Sequence, residues 1–436
     1  MSHFTKKPVT VIPIPQQLAK YMNIRKIREI ESKSGAKVYV KNKNGERPLA
    51  HITGDGKQCE AAKTLIKEFI EKSHVIPTIG YTLLEVDILA DVNKAKFQFI
   101  KFEGICINSS SNNKRVQYSV QLMEETKDDS ELDVADLLDQ KLEISPSGGG
   151  FATSEKLDSC LNEIYSQLSK ADPTDSERRE VRLNLFFGRE LFSNIDKQYF
   201  DVNEWTKFRR GGKYFCTSFQ QNAPQILEKM SLLEKRFKFK EDEVSEITSE
   251  DKGSIAIYFD QDSSRRKLKL HWNDEDRSWK ITKYVRNINR IAILDLISGN
   301  EAPDCRFLLK TCYDLKVGNK LTEIIDEIQS KSSFKLRDEM WFRVEDFDGK
   351  LDKVEIRQTM SKRRFFNGSF QISIATIKQD SDGKLITQQT TSLKNRSWRS
   401  VENIDRNLSL HYDEQEISNT ICETINFARD IVKVLS

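Results

Sequence analysis

Two stretches decide the fold: Ile27-Arg-Glu-Ile-Glu-Ser-Lys-Ser-Gly-Ala-Lys-Val38 and Ile52-Thr-Gly-Asp-Gly-Lys-Gln-Cys-Glu-Ala-Ala-Lys-Thr-Leu-Ile66. Leading into and through the first, Ile24, Ile27 and Ile30 recur at helical spacing. Gly35 stands where a helix end often needs a left-handed residue. Ala36, Val38 and Val40 then alternate with the period of a strand, and Asn42-Lys-Asn-Gly45 is a turn signal. Leu49, Ile52 and Thr53 read as a third strand, ended by Gly54-Asp-Gly56. From Glu60 to Lys72, Ala62, Leu65, Ile66, Phe69 and Ile70 line one face of an amphipathic helix. Upstream, Pro8–Pro15 alternates as a first strand, and Leu18 opens a short helical stretch. The order is strand, helix, helix, strand, strand, helix.

That order, together with Val11-Ile-Pro-Ile-Pro15, Ile27-Arg-Glu-Ile30, Lys33-Ser-Gly-Ala-Lys-Val38, Ile52-Thr-Gly54 and Ala61-Ala-Lys-Thr-Leu-Ile66, resembles the type I KH domain. The resemblance spans about residues 8–72. It implies binding of single-stranded RNA, with a Gly-x-x-Gly loop that lets phosphates approach the backbone at a helix N-terminus. Here that loop reads Tyr21-Met-Asn-Ile24, with no glycine and about two residues fewer. Side chains with Cβ atoms obstruct so close an approach. Cationic and amide side chains are then the candidate phosphate contacts: Lys20, Asn23, Arg25, Lys26 and Arg28. Lys37, Lys41, Lys43 and Arg47, on the second strand and the loop after it, are the candidates beside the bases. The alternative is a KH module without RNA affinity that docks proteins. The whole chain faintly resembles yeast-type KH proteins of the class induced in meiosis, which implies post-transcriptional control.

Charge supports a polyanion-binding front end. Residues 1–77 hold 15 Lys and Arg against 7 Asp and Glu, although the whole chain is only +3. Residues 120–146 reverse the sign, with 2 Lys against 9 acids, and Ser145-Pro-Ser-Gly-Gly-Gly150 follows. This reads as a linker. The expected organisation is a KH-like domain over residues 8–74, a strand-rich segment over 79–123, an acidic and glycine-rich linker over 124–153, and an α+β domain over 154–436. That last domain is mostly antiparallel β: eleven strand-like runs follow Val181, and helices break in near Pro224–Phe237, Thr322–Ser330 and Glu416–Leu435. The fold class is α+β.

Four basic–aromatic stretches punctuate the strand-rich half. They are Trp205–Tyr214, Arg265–Trp272, Lys362–Gly368 and Lys394–Arg399. Aromatic rings stack on bases while cations hold the backbone, which makes Arg209, Arg210, Lys213, Arg363 and Arg364 a possible secondary RNA surface. The plainer reading puts the aromatics in the core and the cations outward, with Phe366-Asn-Gly368 as a hairpin turn.

No phosphate-binding Gly-rich loop, dinucleotide fingerprint, zinc-protease motif or nucleophile elbow is present. The reading is therefore non-catalytic. The enzyme alternative is a phosphohydrolase in the strand-rich domain, where alternating Glu, Lys and Arg form a tunnel that processes polyphosphate. Val354-Glu-Ile-Arg357 is the nearest segment to the metal-holding glutamates this needs, and it lacks a glutamate pair. Seven scattered cysteines without a Cys-x-x-Cys pair offer no zinc site, and no cofactor is implied. No apolar run reaches the roughly 20 residues of a membrane span. RNA, unidentified protein partners and a cytoplasmic, possibly nuclear, location complete the expectation.

Overall fold

The computed structural model describes residues 9–14, 22, 24–41, 48–72, 78–85, 96–102, 116–123, 149–170, 179–193, 195, 198–201, 216–242, 253–261, 264–273, 275–315, 321, 325–326, 334–337, 340–343, 353–381, 384–398 and 414–436. The chain forms two compact units, residues 1–77 and residues 78–261 with 265–436.

In the first unit, β1 (Val9–Pro13), α1 (Ile24–Ser34), β2 (Lys37–Lys41), β3 (Leu49–Thr53) and α2 (Gly56–Lys72) follow one another. The sheet order is β1-β3-β2, antiparallel throughout. Alternation sends Val38, Ala50 and Ile52 toward the helices, where they join Ile30, Ala62 and Ile66 in one core. Gly35 ends α1 at φ +72°, and its N–H donates to the Glu31 carbonyl. The helix α2 begins at Gly56, four residues before the expected start at Glu60. Asp55 Oδ1 accepts from the Gln58 N–H at 2.8 Å and Gln58 Oε1 accepts from the Asp55 N–H at 3.0 Å, a reciprocal capping box. The expected helix around Leu18 lies outside the described residues.

The second unit is built on long strands. Its early elements are β4 (Ile79–Leu84), β5 (Lys96–Lys101), β6 (Tyr118–Leu122), β7 (Gly149–Phe151), α3 (Ser154–Lys170), β8 (Arg179–Ser193), β9 (Tyr199–Asp201), β10 (Cys216–Gln220), α4 (Pro224–Glu228), α5 (Met230–Phe237) and β11 (Lys240–Glu241). There follow β12 (Ser254–Gln261), β13 (Ser264–Asn273), β14 (Ser278–Ile297), β15 (Asp304–Asp314), β16 (Phe334–Arg337), β17 (Met340–Arg343), β18 (Lys353–Phe366), β19 (Phe370–Ser381), β20 (Lys384–Asn395) and α6 (Glu414–Leu435).

Eight of these strands close on themselves. Pairing runs β8-β15-β14-β13-β12-β18-β19-β20, and β20 returns to β8 through Thr391↔Phe187 to Leu393↔Leu185. Closure leaves no free edge in this ring. The outward-facing residues of β8 and β15 (Leu185, Phe187, Cys305, Phe307 and Leu309) are buried, and α6 packs against β15 and β20 while α3 packs against β14. Elsewhere on the outer wall, Ile255, Ile257, Leu268, Leu270, Trp279 and Ile356 form another core under Leu321 and Ile325.

Several expectations are revised. Segment 79–123 is no separate unit, because β4, β5 and β6 join the same sheet as the later strands. The sheet is mostly antiparallel, as expected; β4, which precedes the expected strand-rich domain, runs parallel to both β14 and β7. A parallel neighbour needs a long crossover, and the chain travels from residue 84 to residue 278 between β4 and β14. Part of the expected linker, Gly149–Phe151, is strand; residues 124–148 lie outside the described residues. The helix expected over Pro224–Phe237 breaks at Lys229 into α4 and α5. The strand at Leu408–Tyr412 and most of the helix at Thr322–Ser330 fall outside the described residues. The Phe366-Asn-Gly368 hairpin forms, with Gly368 at φ +85° and Asn367 Oδ1 accepting the Phe370 N–H at 2.9 Å.

Candidate nucleic-acid interface

The interface candidates of the first unit fall on two elements, α1 and β2. Where a glycine loop would precede α1, Met22 is buried at 4% exposure and belongs to the core. Ile24, the first residue of the helix, is 71% exposed. A packed methionine beside an exposed isoleucine leaves side chains where a close backbone approach needs none.

The cations of α1 divide into held and open. Lys26 Nζ lies 2.9 Å from Glu29 Oε2 and 5.3 Å from the Phe69 ring centroid. Lys33 donates to the other oxygen of Glu29 at 2.8 Å. These hydrogen bonds, from Lys33 first and Lys26 second, hold the Glu29 carboxyl at about 2. Arg28 is exposed and holds no acid among the described residues. Arg25 lies in the first turn of α1.

On β2, side chains alternate between the core and open solvent. Val38 faces the helices, whereas Lys37, Tyr39 and Lys41 face away. Tyr39 is 66% exposed, and its ring lies 6.5 Å from that of His51 on β3. Lys37 is the closest cation to Glu31, at 4.0 Å and largely exposed. Lys41 is exposed and holds no acid among the described residues. The open sheet face thus presents an aromatic ring between two lysines, a combination that stacks on a base and attracts its backbone. Lys20, Asn23, Lys43 and Arg47 lie outside the described residues.

One participant escaped the sequence reading. Glu31 Oε1 accepts the Val38 N–H at 2.9 Å, so an acid of α1 satisfies a backbone donor on the edge of β2. Nothing local in the sequence signals this, because the bond spans a helix end and a turn.

The possible secondary surface is divided by strand geometry. Arg209, Arg210 and Lys213 lie outside the described residues. Arg363 is on the outer wall, in a two-pronged ion pair with Glu241 at 2.7 and 2.8 Å. Its guanidinium also lies 5.2 Å from the Phe365 ring centroid. Arg364 is one residue on and therefore faces the other side of the wall, in register with Ser373 of β19. The two arginines do not share a patch.

Residues 23–68 match the family model described as KH domain. No curated protein matches the chain. Among solved structures, the S. pombe Pct1 RNA triphosphatase in complex with the Spt5 CTD is similar over 64% of this chain and 93% of its own, at 11% identity and a TM-score of 0.35. The same triphosphatase alone is similar over 64% of this chain and 92% of its own, at 10% identity and a TM-score of 0.34. Likeness of that degree carries no argument about this chain. The matched motifs and the β1-β3-β2 sheet under two helices agree with each other: the chain carries, near its N-terminal end, a KH-type RNA-binding domain.

Proposed function

We propose that the first unit binds single-stranded RNA through side-chain charge and one exposed aromatic ring, without a glycine loop, and that the chain acts non-catalytically in post-transcriptional control. The observation that supports this reading most is the row Lys37, Tyr39, Lys41 on the open face of β2, with Arg28 exposed on the neighbouring helix. Arg28 and Lys41 hold no acid among the described residues, Lys37 only reaches Glu31 at 4.0 Å, and each phosphate contact releases counterions, so affinity must fall steeply with salt. Lys26 contributes less, because Glu29 already holds it.

The test uses the full chain and a fluorescent single-stranded RNA at two salt concentrations. The Arg28→Glu/Lys41→Glu double variant is expected to weaken binding at least tenfold at low salt, while Tyr39→Ala weakens it severalfold at both concentrations. Binding that is salt-insensitive, or unchanged in both variants, removes this face from the site. Wild type that binds no RNA at low salt leaves the exposed Ile24, Tyr39 and Val11 as a protein-docking surface instead.

A further inference from the structure

Register across the KH sheet lines up one row on its open face. His51 of β3, the central strand, pairs with Val11 of β1 on one side and with Tyr39 of β2 on the other. Directly opposed residues of antiparallel strands point to the same side. Their strand neighbours Ile12, Ile52 and Val38 point into the core under the helices. The row Val11, His51, Tyr39 therefore lies on the face turned away from the helices. Both ends of it are open: Val11 is 45% exposed and Tyr39 66%. The middle is not. His51 is partly buried, and its Nε2 is shielded from water with no hydrogen-bond partner among the described residues.

An imidazole nitrogen donates or accepts, and one that does neither forgoes a bond that the unfolded chain makes with water. Folded proteins keep few such groups, and each calls for a partner. The surroundings of this one specify the partner's chemistry. Tyr39 stands beside it, with ring centroids 6.5 Å apart and planes at 45°. Lys37 and Lys41 stand two residues to either side of Tyr39, about 7 Å along the strand. The described residues of this face include no Asp or Glu. At the edge of β2, by contrast, Glu31 already takes the Val38 N–H at 2.9 Å. A flat group with a polar rim, carried on an anionic backbone, suits all three features of the face. The ring meets its plane, the lysines meet its backbone and the nitrogen meets its rim. An unpaired nucleobase is such a group.

We propose that His51 is the specificity-determining residue of this face: one unpaired base of a single-stranded RNA stacks on Tyr39, and its polar rim bonds to His51 Nε2. The inference rests on the RNA-binding reading above and adds to it the group that tells one base from another. An exposed ring such as Tyr39 changes rotamer readily, so the row opens over His51 as the base arrives. Stacking accepts any base, and lysines hold the phosphates of any sequence, so neither discriminates. A nitrogen with a single bond to make does discriminate. A base that presents the wrong group there leaves both partners unpaired.

The test is fluorescence anisotropy of the full chain with oligo(rA), oligo(rC), oligo(rG) and oligo(rU) at low and high lithium chloride, a salt in which oligo(rG) stays single-stranded. Wild type is expected to hold the best of these over the weakest by about tenfold or more, the net worth of one well-made hydrogen bond. His51→Phe keeps a flat ring and removes the nitrogen. Its spread should shrink to about threefold or less, the level that stacking alone gives, with the slope of affinity against salt unchanged because no cation is lost. Tyr39→Ala should weaken every oligomer, and Arg28→Glu/Lys41→Glu should weaken every oligomer and flatten the salt slope; neither should reorder them. A histidine with a merely structural role would leave the base preference where it is. Melting curves establish that His51→Phe is folded. If it melts early, His51→Gln, which keeps a polar end, takes its place and is expected to reorder the oligomers. Wild type that binds all of them equally overturns this inference alone, and so do folded His51 variants that keep the wild-type spread and order. Wild type that binds none of them at low salt overturns the RNA-binding reading itself, and this inference with it.

Discussion

The two units spend their positive charge in opposite directions. The KH unit carries it outward, on α1 and the open face of β2, where Glu29 and Glu31 stand beside several of the lysines. Water and salt screen what remains, so gathering these charges costs the fold little. The barrel unit carries its charge inward, where Arg182, Lys267, Lys310 and Arg290 act on one another. There burial and the neighbouring cations lower the pKa of Lys267 and Lys310, and Glu355 opposes the shift at Lys267. The outward lysines stay open to a ligand; the inward ones register in the stability of the fold and its dependence on pH.

If the units differ this way, they should also fail separately. Ile66 is fully buried in the KH core on α2, and truncating such a side chain costs about 2–5 kcal/mol. Ile66→Ala is expected to lower a melting transition of the first unit by that amount. The transition of the second unit should stay where it is in wild type. Differential scanning calorimetry checks this. One transition that shifts as a whole would show that the two units melt as one body, and the contrast would then describe a single cooperative fold.

The contrast also explains what the sequence did and did not disclose. The KH unit was legible because its elements are short and each carries its own signal: Gly35 at a positive φ, Val38 and Val40 at period two, and Ala62, Ile66 and Phe69 on one helix face. The barrel strands were legible as strands but not as a barrel. Alternation in Lys267-Leu-Lys-Leu270 separates an apolar face from a polar one; it does not say whether the polar face meets bulk water or a lumen. The plain reading placed those lysines on an outer surface, and ring closure places Lys267 inside. Closure itself depends on the pairing of β20 with β8, whose residues lie about two hundred positions apart, so no local signal marks it. Glu31 was missed for the related reason that its partner, the Val38 N–H, is a backbone group without a sequence signature.

The inward charge has a pH signature that sharpens the comparison. Burial brings Lys267 to about 8, against an ordinary lysine value of 10.5; Arg182, Lys269 and Lys310 add to the shift, and Glu355 opposes it. The Tyr258 ring lies beside the ammonium, 5.1 Å from its centroid. Between the two values the unfolded chain binds the proton and the folded chain does not, so stability must rise with pH. Discounted for the partial exposure of Lys267, the gain is on the order of 1–2 kcal/mol across that window. Lys267→Met lacks the group, so its melting temperature should be higher at pH 7 and rise less from pH 8 to pH 10. Equal slopes in the two proteins would mean that burial does not shift Lys267.

The smallest expected effect comes from the cation that most resembles a surface site in sequence. Arg363 grips Glu241 with two hydrogen bonds, yet both side chains are more than two-fifths exposed. The pair lowers the pKa of Glu241 and raises that of Arg363, chiefly through the hydrogen bonds themselves. Exposed pairs of this kind contribute about 0–1 kcal/mol, because water already solvates both partners well. Arg363→Ala should therefore move the barrel's melting temperature by no more than a degree or two, and leave RNA binding in place. Its outer position makes this informative: it sits one residue from Arg364, on the same strand, with the wall between them. If Arg363→Ala weakened RNA binding as strongly as Arg28→Glu/Lys41→Glu, position on the KH unit would not be what matters, and overall positive charge would account for the binding instead.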